Sequence, residues 1–176
     1  MSMQLPAVSQ LLDHLAPALD EWILTKNLQD PLMVGIHTGG LWVAERLQKK
    51  IQTNCPLGSL DTSFYRDDYS RKGLNPSVRS TDLPFATEDR HLILVDDVLM
   101  SGRTIRAAMN ELFDYGRPAS ITLVVLVALA GRELPIQPDL CALDLRLEAD
   151  QRIKLSGPEP LALNLLTQAQ EVAHGS

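Results

Sequence analysis

Apolar residues recur along this chain in two rhythms, one helical and one of short unbroken runs, and the two alternate. Val8, Leu11, Leu12, Leu15, Leu19, Trp22 and Ile23 fall three and four apart, which predicts an amphipathic helix over residues 8–25. Residues 32–36 form an unbroken apolar run, as a buried strand does; His37-Thr38-Gly39-Gly40 follows, and Val43 and Leu47 mark a helix over 41–50 that closes on Lys49 and Lys50. Residues 57–65 alternate imperfectly through Leu57, Leu60 and Phe64, the pattern of an edge strand. Residues 92–95 are again apolar without a break. A helix from 104 to about 115 then carries Ile105, Ala108, Met109 and Leu112 on one face and stops at Gly116, with Pro118 beyond. Residues 121–127 are β-branched and apolar throughout, which predicts a central strand covered on both faces.

This alternation predicts an α/β fold: an open, mainly parallel twisted sheet flanked by helices, in one domain over residues 1–176. Two segments stand outside it. Residues 66–84 are polar and charged, with Gly73, Pro76 and Pro84; they exceed an ordinary loop and read as a long flexible arm or lid. From Ala128 onward, prolines and weak alternation predict short strands or irregular structure, a small C-terminal hood over roughly 128–170 to which the N-terminal helix is added.

Composition narrows the class. Apolar residues are 45% and charged residues 22%, ordinary for a globular protein, while aromatics at 5% argue against a base-stacking nucleic-acid platform. A net charge of −6 gives no bulk electrostatic footprint for nucleic acid. Cys55 and Cys141 are far apart, with no CxxC and no histidine at metal-ligand spacing, so packed free thiols are expected. The opening MSMQLPAVSQ lacks a basic then apolar leader, and no stretch reaches the roughly 18 apolar residues of a membrane span, so a cytoplasmic protein is expected.

Candidate chemistry concentrates at residues 92–104, LILVDDVLMSGRT. The apolar run delivers Asp96 and Asp97 to a strand's carboxyl end, where α/β folds bind ligands. Met100, Ser101, Gly102, Arg103 and Thr104 then form a short polar loop opening a helix; backbone N–H groups, two hydroxyls and the helix dipole suit a phosphate monoester. Carboxylates for sugar hydroxyls beside a phosphate cradle suggest a ribose 5-phosphate. Adjacent acids after an apolar run also occur in receiver domains and in Walker-B sites, but a Walker site needs an earlier GxxxxGK[ST] loop, which this chain lacks. A simple helix cap needs one carboxylate and no anion loop.

The run matches the signature by which phosphoribosyltransferases hold phosphoribosyl pyrophosphate. VGIHTGGLWVAERL, LDTSFYRDDYSRKG, IRAAMNELFDYGRP and GRELPIQPD extend the likeness over residues 34–139, and the chain resembles the PyrR branch of that family. The resemblance implies the type I phosphoribosyltransferase fold and the conversion of uracil and phosphoribosyl pyrophosphate to UMP and pyrophosphate. It implies Asp96 and Asp97 as catalytic and ribose-holding residues, with the loop from Met100 to Thr104 on the 5-phosphate. His37, Thr38, Gly39 and Gly40 would meet pyrophosphate, and Arg66, on the arm, would supply charge to it. Magnesium is implied as cofactor, bridging pyrophosphate and ribose hydroxyls with no direct protein ligand. A homo-oligomer is implied as well.

Several positions depart from the family pattern. Relatives often carry a basic residue where this chain has Gly39 and a lysine or arginine where it has His37, and the alternative reading of His37 is a solvated histidine at a strand end. The alternative reading of Arg66 and its neighbours Tyr65, Asp67 and Asp68 is an exposed hairpin, and that of the Arg103 guanidinium is a side chain turned to solvent. Before RELP, relatives have a charged segment where this chain reads Val127-Ala128-Leu129-Ala130-Gly131-Arg132; Ala128, Gly131 and Arg132 are the candidates for the base. Two alternatives in function stay open. One is transfer to another base such as a purine. The other is an RNA-binding attenuator sensing UMP, against which stand Asp13, Asp20 and Glu21 on a first helix with no Lys or Arg before Lys26, and Gly131 and Gln137 where relatives carry basic residues or histidine.

Overall fold

The structure, a computed structural model, describes residues 4–63 and 81–167. Five strands, β1 (Leu32–Ile36), β2 (Leu57–Leu60), β3 (His91–Leu99), β4 (Ser120–Leu129) and β5 (Leu140–Leu145), form one parallel sheet in the order β2-β1-β3-β4-β5. Helices α1 (Val8–Thr25) and α2 (Gly39–Gln48) cover one face, and α3 (Arg103–Asp114) covers the other. The period of two along each strand divides the core accordingly. Met33, Ile93, Val95, Val124 and Leu126 pack with α1 and α2, whereas Val34, Leu92, Leu94, Leu123 and Val125 pack with Ile105, Ala108 and Leu112 of α3. Each large apolar side chain so buried is worth about 1.5–3 kcal/mol, and the central strands contribute from both faces.

Three boundaries differ from the sequence expectation, each for a physical reason. Helix α2 begins at Gly39, taking both glycines of the 37–40 segment into its first turn. Strand β3 does not stop at Val95: it carries Asp96 and Asp97 and runs to Leu99, because pairing with β4 resumes at Val98↔Val127 and Leu99↔Ala128. Residues 140–145 join the main sheet as its fifth strand, half exposed at an edge, so their pattern is weaker than that of a buried strand. Strand β2 ends at Leu60; Phe64, Tyr65 and the arm to residue 80 lie outside the described residues.

Beyond β5, β6 (Gln151–Ser156) and β7 (Ala162–Thr167) make an antiparallel hairpin. Its tip is fastened to α2: Gly157 packs on the Trp42 ring, while Arg46 pairs with Glu159 and donates to the Pro158 carbonyl at 3.0 Å.

Where the chain re-emerges after the arm, Asp82 exchanges two backbone hydrogen bonds with Ser59, at 2.8 and 2.9 Å. Thr81 Oγ1 accepts from the Asp61 amide at 3.1 Å and donates to Glu111, a carboxyl buried on α3. Burial pushes the Glu111 pKa up, Asp61 and Asp114 add to the rise, and the Thr81 hydrogen bond opposes it. A carboxyl whose folded pKa is raised favours folding while protonated and loses that contribution as pH climbs through the folded value. Glu111→Gln is therefore expected to match the parent protein below the ordinary value of 4.5 and to be more stable at pH 7, in paired thermal-unfolding profiles against pH. A glutamine variant less stable than the parent at pH 7 contradicts this.

Candidate active site

Alternation along β3 puts its two acids in opposite phase, although both border the first turn of α2, with Asp96 Oδ1 3.0 Å from where a Gly40 Cβ would stand. Asp96, in phase with Leu92 and Leu94, is 5% exposed; Asp97, in phase with Ile93 and Val95, faces the first turn of α2. The strand supplies their nearest donors. The Asp97 amide donates to Asp96 Oδ1 at 2.9 Å, and the Val98 amide to Asp97 Oδ1 at 2.8 Å. Helix α2 presses against this end of β3: a Cβ on Gly40 would stand 2.6 Å from the Val95 carbonyl oxygen and 2.9 Å from Asp96 Cα. The His37 amide donates to the Leu60 carbonyl at 2.9 Å, and Thr38 is the N-cap of α2, so residues 37–40 lie beside the acidic pair at the sheet's carboxyl edge.

After Leu99 the chain turns through Met100, Ser101 and Gly102 into α3. Gly102 sits at φ 92°, a left-handed conformation that favours glycine, and Ser101 Oγ accepts from the Arg103 amide at 3.2 Å. The first-turn N–H groups of α3 have no carbonyl one turn back, which makes this end a natural seat for an anion. The Arg103 guanidinium turns to Glu133, with Nε 2.7 Å from Oε2.

A brace supports the turn from behind. The amides of Glu133 and Leu134 donate to the Ser101 carbonyl at 2.9 and 3.1 Å. Arg132 Nη1 donates to the carbonyls of Met100 (2.5 Å), Leu129 (3.2 Å) and Leu99 (3.4 Å), and Nη2 to Gln137 at 3.5 Å. The RELP segment thus holds the turn by main-chain and guanidinium contacts together.

A cavity of about 650 Å³ opens in front of this turn. Of the candidates, Asp96, Met100, Ser101, Gly102 and Thr104 line it; Leu129 and Ala130 form one wall, and residues from the β5–β6 connection and β6, including Leu147, Gln151, Arg152 and Ile153, form another. Asp97 and residues 37–40 stand outside its lining, on the α2 side of β3. Ala128, Gly131 and Arg132 do not line it either: Ala128 is buried and Arg132 is engaged with carbonyls. Arg66 lies outside the described residues. The 147–153 wall was missed from sequence, where weak alternation predicts only short strands or irregular structure in the hood.

Comparison with known proteins identifies this arrangement. Residues 4–150 match the phosphoribosyl transferase domain family. The chain is 56% identical over 163 residues to the bifunctional protein PyrR of Pseudomonas savastanoi pv. phaseolicola, covering 93% of this chain and 96% of that one. It is 58% identical over 161 residues to the bifunctional protein PyrR of Pseudomonas paraeruginosa, covering 92% and 95%. The chain belongs to the phosphoribosyltransferase family, in its PyrR branch.

Among solved structures, a hypoxanthine-guanine phosphoribosyltransferase from Bacillus anthracis aligns at TM-score 0.65 and 14% identity, covering 87% of each chain. The hypoxanthine phosphoribosyltransferase of Trypanosoma cruzi aligns at 0.60 and 20% identity, covering 82% of this chain and 79% of that one. These distant likenesses establish the type I phosphoribosyltransferase fold. The phosphoribosyltransferase signature therefore occupies β3, the 100–102 turn and the start of α3.

The brace makes a stability prediction for this PyrR-branch protein. A hydrogen bond to a charged group is worth about 1.5–3 kcal/mol, and Arg132→Met leaves several carbonyls without their donor. Denaturant unfolding is expected to show a loss of about 2 kcal/mol or more, with faster hydrogen exchange at the 101–104 amides. Unchanged exchange at those amides would show that Arg132 does not hold the turn.

Proposed function

We propose that this chain transfers the phosphoribosyl group of phosphoribosyl pyrophosphate to uracil, giving UMP and pyrophosphate. The observation that carries the reading is one cavity in which Asp96 stands beside Ser101, Gly102 and Thr104, an acidic strand end next to an anion-binding turn. With the 5-phosphate on the first turn of α3, the ribose lies across the end of β3. Asp96 and Asp97 then accept hydrogen bonds from its hydroxyls on either side and stabilise the positive charge that builds on the ring as the anomeric bond breaks. Residues 37–40 receive the departing pyrophosphate at the first turn of α2, and Arg66 of the arm is read as adding charge there.

Among the described residues no group of three or more His, Cys, Asp or Glu is placed to hold a metal ion. The donor set fits a magnesium ion that takes most of its ligands from phosphate, hydroxyl and water oxygens, with Asp96 and Asp97 holding it through the ribose hydroxyls. When bound, it supplies charge neutralisation for the leaving pyrophosphate. Uracil is read between the 129–130 wall and the 147–153 wall by backbone N–H and C=O groups, which distinguish its imide edge from cytosine.

No helix among the described residues is long and apolar enough to cross a membrane, and we place this activity in the cytoplasm, in a homo-oligomer. Specific RNA binding is expected to be weak. Arg132 is turned inward, and the first helix carries Asp13, Asp20 and Glu21 with no Lys or Arg before Lys26, so that face offers more acid than base.

Steady-state assays with uracil, hypoxanthine, guanine and orotate test the base, and turnover of uracil alone, dependent on magnesium, is expected. Asp97→Asn is expected to fold and to lower turnover about a hundredfold, the scale of losing one preorganised electrostatic group; wild-type turnover in that variant would count against the role of Asp97. In gel shifts with the pyrimidine-operon leader RNA at physiological salt, nanomolar UMP-dependent binding would overturn the RNA expectation.

A further inference from the structure

We propose that Met100 is a specificity-determining residue: its side chain belongs to the base end of the cavity, where the thioether packs on the ring of the acceptor base and of the nucleotide product. This deepens the proposed function and rests on the reading of the cavity as the nucleotide site.

Sequence position groups Met100 with the phosphate loop, but its chemistry and direction do not. A thioether donates no hydrogen bond and accepts only weakly, so this side chain has nothing to offer a phosphate. What Met100 gives the turn is its peptide group, and that group is held. Arg132 Nη1 donates to the Met100 carbonyl, and the amides of Glu133 and Leu134 hold the next carbonyl, that of Ser101. The side chain therefore departs from a fixed main chain, and it departs toward the apolar wall. A Cβ on Gly131 would stand 3.8 Å from Met100 Cγ, with no other atom beyond its chain neighbours within 4 Å, which sets the thioether stem beside the 129–131 segment.

Met100 is 53% exposed in that place. Leu24, Phe113 and Tyr115 are also large apolar side chains left more than half exposed, yet Met100 is the one of the four that lines the cavity, where Leu129 and Ala130 join it. An apolar side chain held open inside a concave site loses its water when a ligand covers it, and that burial favours binding. An unbranched, polarisable thioether suits a flat ring, since it adapts to the face or edge presented and gains from sulfur–ring contact. Asp96 before it and Ser101 after it line the same cavity, so a single strand end and turn present carboxylate to the sugar, amide and hydroxyl to the phosphate, and thioether to the base.

The test compares the parent protein with Met100→Ala and Met100→Leu in the presence of magnesium. It uses calorimetric titration of UMP and of ribose 5-phosphate, which lacks the base, steady-state KM for uracil and for phosphoribosyl pyrophosphate, and hydrogen exchange at the 101–104 amides. Met100→Ala is expected to weaken UMP and to raise the KM for uracil about fivefold, the scale of a sulfur–ring contact. Ribose 5-phosphate affinity, the KM for phosphoribosyl pyrophosphate and amide exchange are expected to stay at parental values. Met100→Leu, apolar and of similar volume, is expected to recover most of the loss. Equal weakening of UMP and ribose 5-phosphate would show that Met100 acts through the shape of the phosphate turn and overturn the proposal. So would parental UMP affinity and uracil KM in Met100→Ala. A parent protein that binds neither UMP nor ribose 5-phosphate removes the reading of the cavity, and the proposal with it. One that turns over hypoxanthine in place of uracil removes only the identity of the base, and the same comparison with IMP then decides the role of Met100.

Discussion

Two carboxylates on consecutive residues at the end of a buried strand repel each other and lose water, a combination that costs several kcal/mol unless donors meet them. Here the strand itself answers. The Asp97 amide turns to Asp96 and the Val98 amide to Asp97, where the ladder to β4 passes from Asp96↔Val125 to Val98↔Val127. Each acid is held through one oxygen by the next peptide group. Alternation parts the acids: Asp96 lines the cavity and also borders Gly40 of α2, while Asp97 faces Gly39, the arrangement from which we propose that a ribose over the strand end is met by both. Gly40 of α2 follows from this constraint, because the helix comes so close to the strand end that a Cβ there would stand 2.6 Å from the Val95 carbonyl oxygen.

A chain with net charge −6 has to attract a polyanion by local means. Long-range potential works against it, yet at physiological salt charges beyond about 8 Å are largely screened, so the groups nearest the ligand decide. In the proposed site those groups are the starts of α2 and α3 at the carboxyl edge of the parallel sheet, where right-handed crossovers place helix N-termini. Two arginines that the sequence offers as ligands, Arg103 for the 5-phosphate and Arg132 for the base, are engaged otherwise: Arg103 with Glu133 and Arg132 with the carbonyls around Leu99–Leu129. Arg132 keeps its positive charge behind the turn while fixing the turn's shape. Preorganising amides in this way serves a phosphate better than a mobile guanidinium, since no side chain has to be ordered on binding.

What the sequence revealed follows burial. Residues 92–95 and 121–127 were readable as strands because both faces are covered, so the polar residue that would break every second position is missing and the run is short enough to fit a strand. β5 was not, since an edge strand that is half exposed and contains Asp144 loses that signature. The start of α2 was hidden by two glycines that read as a loop; the second is glycine because a Cβ there would meet Val95 and Asp96, far away in the sequence. Likewise β3 seemed to end at its acids, because adjacent aspartates read as a loop until a partner strand is known. The phosphate turn and acidic pair were legible as a contiguous motif. The 147–153 wall was not, since only the tertiary approach of β6 turns it toward the cavity. Arg132 illustrates the same limit: its identity and place beside Gly131 are visible, but the direction of its guanidinium is set by carbonyls from three other residues.

The uncharged segment at 127–131 follows from how binding energy is distributed. Two anionic groups, at opposite ends of one donor molecule, supply charge-assisted contacts that are individually stronger than any contact to a neutral base. The base contributes orientation: one ring nitrogen must face the anomeric carbon at near-attack distance. A wall of Leu129 and Ala130 opposed by Leu147 and Ile153 can fix the plane of a small ring by packing, leaving the imide edge to peptide groups. Such a site discriminates by shape and by donor–acceptor pattern, and a charged side chain there would add desolvation cost without adding alignment. The hairpin that carries part of this wall is fastened through Trp42 and Arg46 to α2, the helix whose first turn we propose for pyrophosphate.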